Sequence, residues 1–400
     1  MERETITQAS LINYLDLSIQ IGEQIAERTY RLSITSESEQ IGQAEGEFHM
    51  PRTEIEVGRL LGKVEARIGV SERGVRRGSD EYEQLTTFGK ELFRCLLATP
   101  EVRDCYKQAQ RAMRANPNNG LRLRLVTPSS STLLRVIPWE FLHDGQRFLS
   151  VSNRTPIVRY IKPVWETFTP FPLYPPLRIL VVIASPKDRP PLDIEKEKRN
   201  ISSALQNNPA VEIESLEHVT CDALQTKLRS AFAEHKSFHI LHFIGHGVHE
   251  QGKSYLVFEN EDGRSRLVDG DAMFNLLQDY PSVKVAVLNT CLAATGHESA
   301  ERPFANVATS LVTAGIPAVV AMQFPISDQA AATFSKHFYN TLGMGYSVVT
   351  AVAEARRAIY INAENTAEFG TPVLFSRVKE GVIFFMRSRE RRLGMLYRQA

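Results

Sequence analysis

Short apolar runs alternate with amphipathic helical patterns along the second half of the chain, and this alternation constrains the fold more than any other feature. Each apolar run is followed by a stretch with helical periodicity. The runs are LRILVVIAS (177–185), VEIESLE (211–217), FHILHFIG (238–245), VKVAVLNT (283–290) and IPAVVAMQF (316–324). Nearly continuous apolar strands joined through helices predict a parallel sheet that is covered by helices on both faces. We therefore expect a doubly wound α/β domain in this half.

The first half of the chain has a different pattern. Residues 11–50 alternate apolar and polar residues, as a small antiparallel β unit does, and helical periodicity follows over residues 53–113. Strands are then expected for the runs GLRLRLVT, FLSVS and TPIVRYI. Five prolines within residues 162–177 predict a stiff connector, because proline continues neither a helix nor a central strand. We therefore predict four segments: an N-terminal β-rich unit (1–60), an α/β segment (61–165), the main α/β domain (170–386) and a basic tail (387–400).

Charge and cysteine content limit the class of protein. The net charge is +1 and both signs are interspersed, so the chain as a whole has no electrostatic reason to bind nucleic acid or an anionic membrane. Residues 303–327 carry no charge, but Gly315, Pro317 and Pro325 favour a buried helix and a buried strand over a membrane span. The N-terminus lacks the pattern of a secretory signal and the four cysteines are dispersed, so we expect reduced thiols in a cytoplasmic protein.

The segment HILHFIGHGVHE contains four of the ten histidines. Side chains alternate between the faces of a strand, so His239 and His242 point to opposite faces and cannot act together. The spacing of His242 and His246 suits zinc on a helix, but the β-branched and aromatic residues and Gly245 favour a strand that ends in a turn, which argues against a metal site. We interpret His246, just beyond the strand, as the histidine with a chemical role, His242 as a core residue and His249 as a loop residue.

Cys291 follows the run VKVAVLNT as His246 follows HILHFIG. Because ligands bind beyond the carboxyl ends of parallel strands, both side chains are predicted to emerge at one edge of the sheet. An imidazole beside a thiol favours the nucleophilic thiolate, and Gly247 offers a backbone N–H with close access for an oxyanion. From spacing alone, a catalytic pair and an ordinary buried cysteine near a strand-end histidine both stay open. The other cysteines fall in helical patterns, as small buried residues do: Cys95, Cys105 and Cys221.

The motifs FIGHG and VLNTC resemble those of the CHAT domain, a bacterial branch of the caspase and separase group of cysteine peptidases. Other CHAT landmarks follow in the usual order: PWEFL, FLSVSNRTPIVRYI, ILVVIASP, NVATSLVTAGIPAVVAMQFPISDQAA and FGTPVLFSRV. The resemblance extends over roughly residues 80–385. It implies an α/β fold of the caspase-like sandwich type, with a mostly parallel central sheet flanked by helices. A catalytically silent α/β half and a small N-terminal β unit are expected to precede that sandwich.

The resemblance also implies endopeptidase activity and roles for individual residues. His246 matches the catalytic base of the family and Cys291 matches its nucleophile. The backbone N–H groups of Gly247 and Cys291 would bind the oxyanion, and Gly245 would shape the turn that presents His246. No third member of a triad is evident.

Two polar residues bear on the residue at P1, just before the scissile bond. Asn289 stands where related metacaspases that select a basic P1 residue often carry Asp, so the preference of this chain stays open. Asp328 matches a recurrent acid of CHAT sequences and has two interpretations. It lines an S1 pocket for Arg or Lys, or it is the first acid of a helix, where the helix dipole favours it. In PWEFL, Trp139 and Glu140 are interpreted as packing residues with a buried hydrogen bond.

Two functions are compatible with these residues. The first is a Cys/His endopeptidase of bacterial defence or regulated proteolysis, which would act on a specific protein substrate. It would be held inactive until a separate activator, ligand or cleavage releases it through the segments 249–255 and 296–304. The alternative is a caspase-fold scaffold module that recruits a partner protein without essential proteolysis. The arginine-rich tail 387–400 is interpreted as solvated, with docking on an acidic partner or nucleic acid as its alternative, and we assign no cofactor or metal.

Overall fold

One long β-sheet passes through the chain in the computed structural model, which describes residues 12–70, 75–128, 131–163, 168–204, 208–250, 253–290, 303–362 and 366–386. Its strands are β1 (Asn13–Ala26), β2 (Thr29–Thr35), β3 (Ala44–His49), β4 (Asn119–Val126), β5 (Ile157–Tyr160), β7 (Leu177–Ile183), β8 (Val211–Leu216), β9 (Ile240–Glu250), β10 (Lys253–Glu259), β11 (Ser265–Asp269), β12 (Val285–Thr290), β13 (Ala318–Met322) and β14 (Pro372–Ser376). A separate parallel pair consists of β6 (Phe171–Leu173) and β15 (Phe384–Met386).

The helices flank this sheet. They are α1 (Glu54–Val70), α2 (Asp80–Leu96), α3 (Pro100–Arg114), α4 (Thr132–Val136), α5 (Ile194–Ala204), α6 (Cys221–Ala233), α7 (Gly270–Leu277), α8 (Pro303–Ala314), α9 (Asp328–Gly343) and α10 (Val348–Asn362). Side chains supply N-caps where the sequence offers them: Ser79 caps α2, Thr220 caps α6 and Ser327 caps α9. Each accepts a backbone N–H that would otherwise lack a partner in the first turn.

The order of the strands is β8-β7-β9-β12-β13-β14-β5-β4-β1-β2-β3. From β8 to β13 the neighbours are parallel, β14 is antiparallel to β13, and the parallel pairing resumes from β14 to β1. β10 and β11 form an antiparallel extension on the second half of β9. The expected α/β architecture, with a mostly parallel sheet flanked by helices, is confirmed.

Two layers of helices cover the C-terminal half of the chain, residues 168–386. We call the side covered by α5, α9 and α10 the α9 face, and the side covered by α6, α7 and α8 the α8 face. Successive side chains of β9 point to opposite faces of the sheet, as in any strand. Ile240 and Ile244 are buried on the α9 face. Leu241 and Phe243 are buried on the α8 face. The predicted side-chain alternation of this strand is therefore confirmed.

The N-terminal half, residues 12–163, shares the sheet and the core of the rest of the chain. β5 pairs with β14, and β1 pairs with β4 along eight residues, so the N-terminal β unit is hydrogen-bonded into the main sheet. Buried residues of α1, α2 and α3 belong to the same apolar cluster as those of the α9 face. The hydrophobic core is therefore continuous between the two halves.

Three local predictions were wrong. β9 does not end in a turn at Gly245 but continues to Glu250, because its second half pairs with β10 and so finds backbone partners beyond the edge of the central sheet. His249 is consequently a strand residue, and its Nδ1 lies 2.8 Å from the hydroxyl of Ser254. The run FLSVS is a short 3₁₀ turn over Leu149–Val151 and not a strand.

The uncharged stretch 303–327 contains α8 followed by β13, as predicted from its glycine and prolines. Among the helices that the structure describes, none has both the length and the apolar character needed to cross a membrane. The basic tail 387–400 lies outside the described residues.

Candidate active site

The adjacent ends of β9 and β12 form the centre of the candidate site. The two strands are parallel and in continuous register from Ile240 beside Val285 to Gly245 beside Thr290. His246 is the next residue of β9. Cys291 is the next residue in the sequence after Thr290 and lies outside the described residues. The register thus brings His246 to the carboxyl end of β12, the strand that Cys291 follows in the sequence.

His246 is buried, with 3% of its surface exposed, and it pairs with Val257 of β10. Its Nδ1 is inaccessible to solvent and has no hydrogen-bond partner within the described ranges. Burial lowers the pKa of His246, and the positive charge of Arg189 lowers it further. Both effects favour the neutral imidazole, which is the form that accepts a proton.

Arg189 is a residue that the sequence reasoning missed. It lies in the loop after β7, where its Nε donates a 3.2 Å hydrogen bond to the hydroxyl of Ser265. The same hydroxyl donates to Asp188, so the loop after β7 is held against the start of β11. The rule that ligands lie beyond the carboxyl ends of parallel strands could have indicated Arg189, because β7 is the parallel neighbour of β9.

A second anchor holds the same loop close to His246. The buried carboxylate of Glu259, at the end of β10, accepts a 2.8 Å hydrogen bond from the backbone N–H of Ser185. The ring of His218 lies 3.3 Å from both oxygens of that carboxylate. The backbone N–H of Ala184 also donates to the carbonyl of Ile244, so the end of β7 is fixed to β9.

Gly245 and Gly247 have different environments. A Cβ at Gly245 would lie 2.5 Å from the ring of Phe243 and 3.3 Å from the carbonyl oxygen of Ala184. Gly245 therefore allows the Phe243 ring to occupy the space beside the strand, and it does not shape a turn. Gly247 pairs with Leu256 in the antiparallel section of β9.

The two candidate specificity residues lie at the same edge of the sheet. Asn289 pairs with Ile244 and is half-buried on the α9 face. Asp328 begins α9 directly after its N-cap, at the carboxyl end of β13, and forms an ion pair with Lys196 of α5. Half of the Asp328 side chain is exposed. Burial, and then the charge of Asp328, raise the pKa of the neighbouring Glu197.

Hydrogen bonds from three directions fix the segment between β13 and α9. The side-chain amide of Gln323 donates to the carboxylate of Glu140 at 2.9 Å and to the carbonyl of Gly370 at 2.6 Å. Glu368 accepts hydrogen bonds from the backbone N–H and the hydroxyl of Ser327 at 2.6 and 3.1 Å. The residue that precedes Asp328 is therefore held by a carboxylate in the core.

Glu140 is fully buried and is paired with Arg159, whose Nη2 lies 2.7 Å from its carboxylate. Burial alone would raise the pKa of Glu140, but the charges of Arg159 and Arg356 outweigh it and hold this pKa below its ordinary value. Trp139 is buried as well, and its Nε1 donates to the carbonyl of Leu134. The prediction that Trp139 and Glu140 are packing residues with buried hydrogen bonds is confirmed.

The remaining histidines of the segment are structural. Nδ1 of His242 lies 2.6 Å from the hydroxyl of Tyr339 in the core, and Nδ1 of His239 accepts the backbone N–H of Arg178. Burial lowers the pKa of His239 to about 4 and that of His242 to about 3. Within the described ranges, no group of three or more His, Cys, Asp or Glu side chains is placed to hold a metal ion.

The three described cysteines lie on helices, namely α2, α3 and the start of α6. Burial raises the pKa of each of their thiols, which keeps them protonated near neutral pH: Cys95, Cys105 and Cys221. These thiols therefore lack the thiolate character of a nucleophile.

One comparison with a solved structure shows a fold of the same α/β type. A chain of the Saccharomyces cerevisiae separase–securin complex aligns with 95% of this chain at a TM-score of 0.51 and 11% identity. This chain covers 30% of the length of that chain. The Drosophila initiator caspase Dronc aligns with 57% of this chain and 95% of its own, with a TM-score of 0.33 and 11% identity.

Sequence comparisons give the family. A search of curated proteins found no significant match. The family model for the CHAT domain matches residues 86–374, which include β9, β12 and both strand ends described above. The chain belongs to the CHAT domain family.

Proposed function

We propose that this chain is a Cys/His endopeptidase in which His246 is the base and Cys291 the nucleophile. The observation that carries this proposal is the parallel register of β9 and β12, which pairs Gly245 with Thr290. The residues that follow these two partners in the sequence are His246 and Cys291. Cys291 is thus one peptide bond from the partner of Gly245, and this supports the pairing of His246 with Cys291 in the proposal.

The environment of His246 supports its role as a base. Its lowered pKa keeps the imidazole neutral at neutral pH, so that it can take the proton of a neighbouring thiol. Nδ1 is buried without a hydrogen-bond partner in the described part of the chain. This nitrogen is therefore not engaged by any described group and is free to accept a proton.

The reaction follows from these two groups. His246 takes the proton of Cys291, and the thiolate sulfur attacks the carbonyl carbon of the scissile peptide bond. Backbone N–H groups at Gly247 and Cys291 hold the oxyanion, and His246 then gives its proton to the leaving amine as the C–N bond breaks. A water molecule, deprotonated by His246, hydrolyses the thioester and releases the carboxylate product and the free thiol.

The charges at the sheet edge bear on the substrate and on activation. If Asp328 lines the S1 pocket, a basic P1 residue must displace Lys196 from its carboxylate. That competition supports a restrained ground state, which a separate activator protein would release. We propose that the chain is a cytoplasmic effector of bacterial defence or regulated proteolysis that cleaves a specific protein; the CHAT family assignment supports the peptidase part of this proposal.

The decisive experiment compares the wild-type chain with Cys291→Ala and, as a matched cysteine control, Cys221→Ala. Each purified protein is incubated with a diverse peptide library and with products of neighbouring genes, and new termini are identified by mass spectrometry. We expect cleavage by the wild type and by Cys221→Ala, and none by Cys291→Ala. The sequence at the new termini gives the P1 residue, and cleavage after Arg or Lys would assign Asp328 to the S1 pocket.

A thiol-directed electrophile provides an independent measurement. With iodoacetamide at neutral pH, we expect Cys291 to be alkylated faster than the three described cysteines, whose pKa values are raised by burial. His246→Ala should slow the alkylation of Cys291 and leave that of Cys221 unchanged. Cleavage that persists in Cys291→Ala would contradict the proposal. Absence of cleavage together with an unreactive Cys291 would favour the scaffold function.

A further inference from the structure

A small cavity opens in the N-terminal half of the chain, apart from the candidate active site. Its volume is about 160 Å³. One molecule of liquid water occupies about 30 Å³, so the cavity is several times larger than a water molecule. Its lining residues all fall between Tyr106 and Thr155, on α3, on β4 and in the loops around residues 144–155. Among the residues that the structure describes, none of the C-terminal half contributes to it.

Three arginines line this cavity, and one carboxylate opposes them. The arginines are Arg114, at the end of α3, Arg147 and Arg154, and the carboxylate belongs to Asp144. The side chains of the cavity therefore carry an excess of two positive charges. Aromatic and apolar walls complete it: Tyr106, Met113, Leu121 and Leu149.

None of these guanidinium groups has a carboxylate partner among the described residues. Arg154 is held in place, since its Nε and Nη2 donate to the carbonyls of Asn119 and Met113 at 3.1 and 3.4 Å. Arg114 and Arg147 are exposed, and the structure gives their side chains no hydrogen bond or ion pair within the described ranges. The excess positive charge is thus left uncompensated.

The single acid is already engaged by the backbone. Asp144 accepts hydrogen bonds from the backbone N–H groups of Gln146 and Arg147, both at 2.9 Å, which fixes the turn that carries Arg147. The pKa of Tyr106 shows which charges act within the cavity. Burial and Asp144 raise this pKa to about 12, while Arg147 and Arg114 act in the opposite direction. The two arginines therefore lie close enough to the phenol to act on it.

We propose that this cavity binds the phosphate group of a small phosphorylated molecule. Several guanidinium groups that face one cavity provide more donors than a single carboxylate can accept, whereas a phosphate has three strongly accepting oxygens. A phosphate monoester carries nearly two negative charges at pH 7, which matches the excess of the cavity. The volume suits one such group, with the rest of the ligand leaving through the open mouth. This proposal does not depend on the peptidase activity.

The test uses the full chain in the Cys291→Ala background, so that binding is measured without proteolysis. Isothermal titration calorimetry is done with inorganic phosphate and with ADP at fixed ionic strength, and with hexaglutamate as the acidic peptide. We expect phosphate and ADP to bind, and Arg114→Gln combined with Arg147→Gln to weaken both at least tenfold. Arg103→Gln, an exposed arginine of α3 outside the cavity, should leave the affinities unchanged.

Thermal unfolding separates a loss of the site from a loss of the fold. Both substituted arginines are exposed, so the double variant should melt within a few degrees of its parent. If it does not fold, Arg147→Gln alone is measured in the same titrations. The proposal is overturned if phosphate and ADP do not bind, if their affinities are the same in the double variant and in Arg103→Gln, or if only hexaglutamate binds.

Discussion

The pKa of His246 depends on two factors that can be changed separately. One is the burial of its imidazole and the other is the charge of Arg189. Because a nearby cation disfavours a second positive charge, Arg189 lowers the pKa of His246. We expect Arg189→Gln to raise that pKa, so that His246 takes up its proton at a higher pH. NMR titration of histidine-labelled protein in the Cys291→Ala background measures this directly, since the catalytic thiol is then absent.

Lys187→Gln is the matched control for this titration. Lys187 belongs to the same loop, is exposed, and donates to the carbonyl of Asp262. Its charge is not among the causes of the His246 shift, so the titration of His246 should stay where it is. An unmoved His246 titration in Arg189→Gln would show that burial alone sets its proton affinity.

The lowered pKa of His242 predicts how the free energy of unfolding changes with pH. Burial lowers its pKa to about 3, against about 6.5 in the unfolded chain. Between these values the unfolded state binds a proton that the folded state does not, so stability decreases as the pH falls below about 6.5. At pH 5 this one histidine costs roughly 2 kcal/mol relative to pH 8. We expect urea unfolding of His242→Gln at pH 5, 6 and 7 to show a shallower pH dependence than that of the wild type.

The comparison for His242 is His235→Gln, which removes an exposed histidine after α6. Because this variant retains the His242 imidazole, its curve should keep the decrease of stability at low pH that His242 contributes. A glutamine at position 242 keeps a polar partner for the Tyr339 hydroxyl, which limits the uniform loss of stability. Parallel curves for His242→Gln and the wild type would mean that His242 has the same pKa in the folded and unfolded states, against the lowered pKa expected from its burial.

At the scale of the elements, the packing of β9 next to the candidate site depends on Phe243, whose ring fills the space beside Gly245. The Phe243 ring stacks on Phe258 with 5.3 Å between the ring centroids. In Gly245→Ala the new Cβ would meet the ring at 2.5 Å, so the ring must shift and weaken this contact. We expect Gly245→Ala to reduce the free energy of unfolding by about 1–3 kcal/mol, as overpacking of a core does. Urea denaturation measures it.

Two further variants identify the cause. In Gly58→Ala the Cβ meets nothing within 4 Å on α1, so this helical glycine should be replaced without loss of stability. In the Phe243→Leu background, which opens space beside position 245, Gly245→Ala should cost less than it does in the wild type. Equal costs in both backgrounds would show that the Ala184 carbonyl oxygen, 3.3 Å from the new Cβ, and not the ring, is responsible.

The sequence predicted the strands and helices of the C-terminal half well, but it did not predict that β9 continues beyond Gly245. Apolar runs such as VKVAVLNT become β12 because a strand buried on both faces needs no polar positions, and Ser327 marks the start of α9 through its capping hydroxyl. The hairpin of β9 and β10 was missed because its pairing satisfies backbone groups that the side-chain pattern does not reveal. Arg189 was missed because the rule that ligands lie beyond the carboxyl ends of parallel strands was applied to β9 and β12 but not to the loop after β7.

At the scale of the whole molecule, the N-terminal and C-terminal halves share a sheet and a buried ionic network. The pairing of β5 with β14 joins the halves along the backbone. Arg159 of β5 reaches Glu140 and Gln323, and Arg356 of α10 donates to the carbonyl of Pro372 while it lies 3.9 Å from Glu140. Such a network constrains how the halves are placed, because each of its buried charges needs a partner from elsewhere in the chain.

Glu140→Gln tests that constraint. It removes the carboxylate that compensates two buried guanidinium groups, and we expect a loss of about 3–5 kcal/mol in the free energy of unfolding, as for other broken buried ion pairs. Glu234→Gln is the control, since Glu234 pairs with Lys236 at the surface and should cost less than about 1 kcal/mol. Unfolding followed by near-ultraviolet circular dichroism should remain a single transition, because the shared core couples both halves. Two transitions, with only one of them displaced in Glu140→Gln, would show instead that the halves unfold independently and that the network stabilises one of them alone.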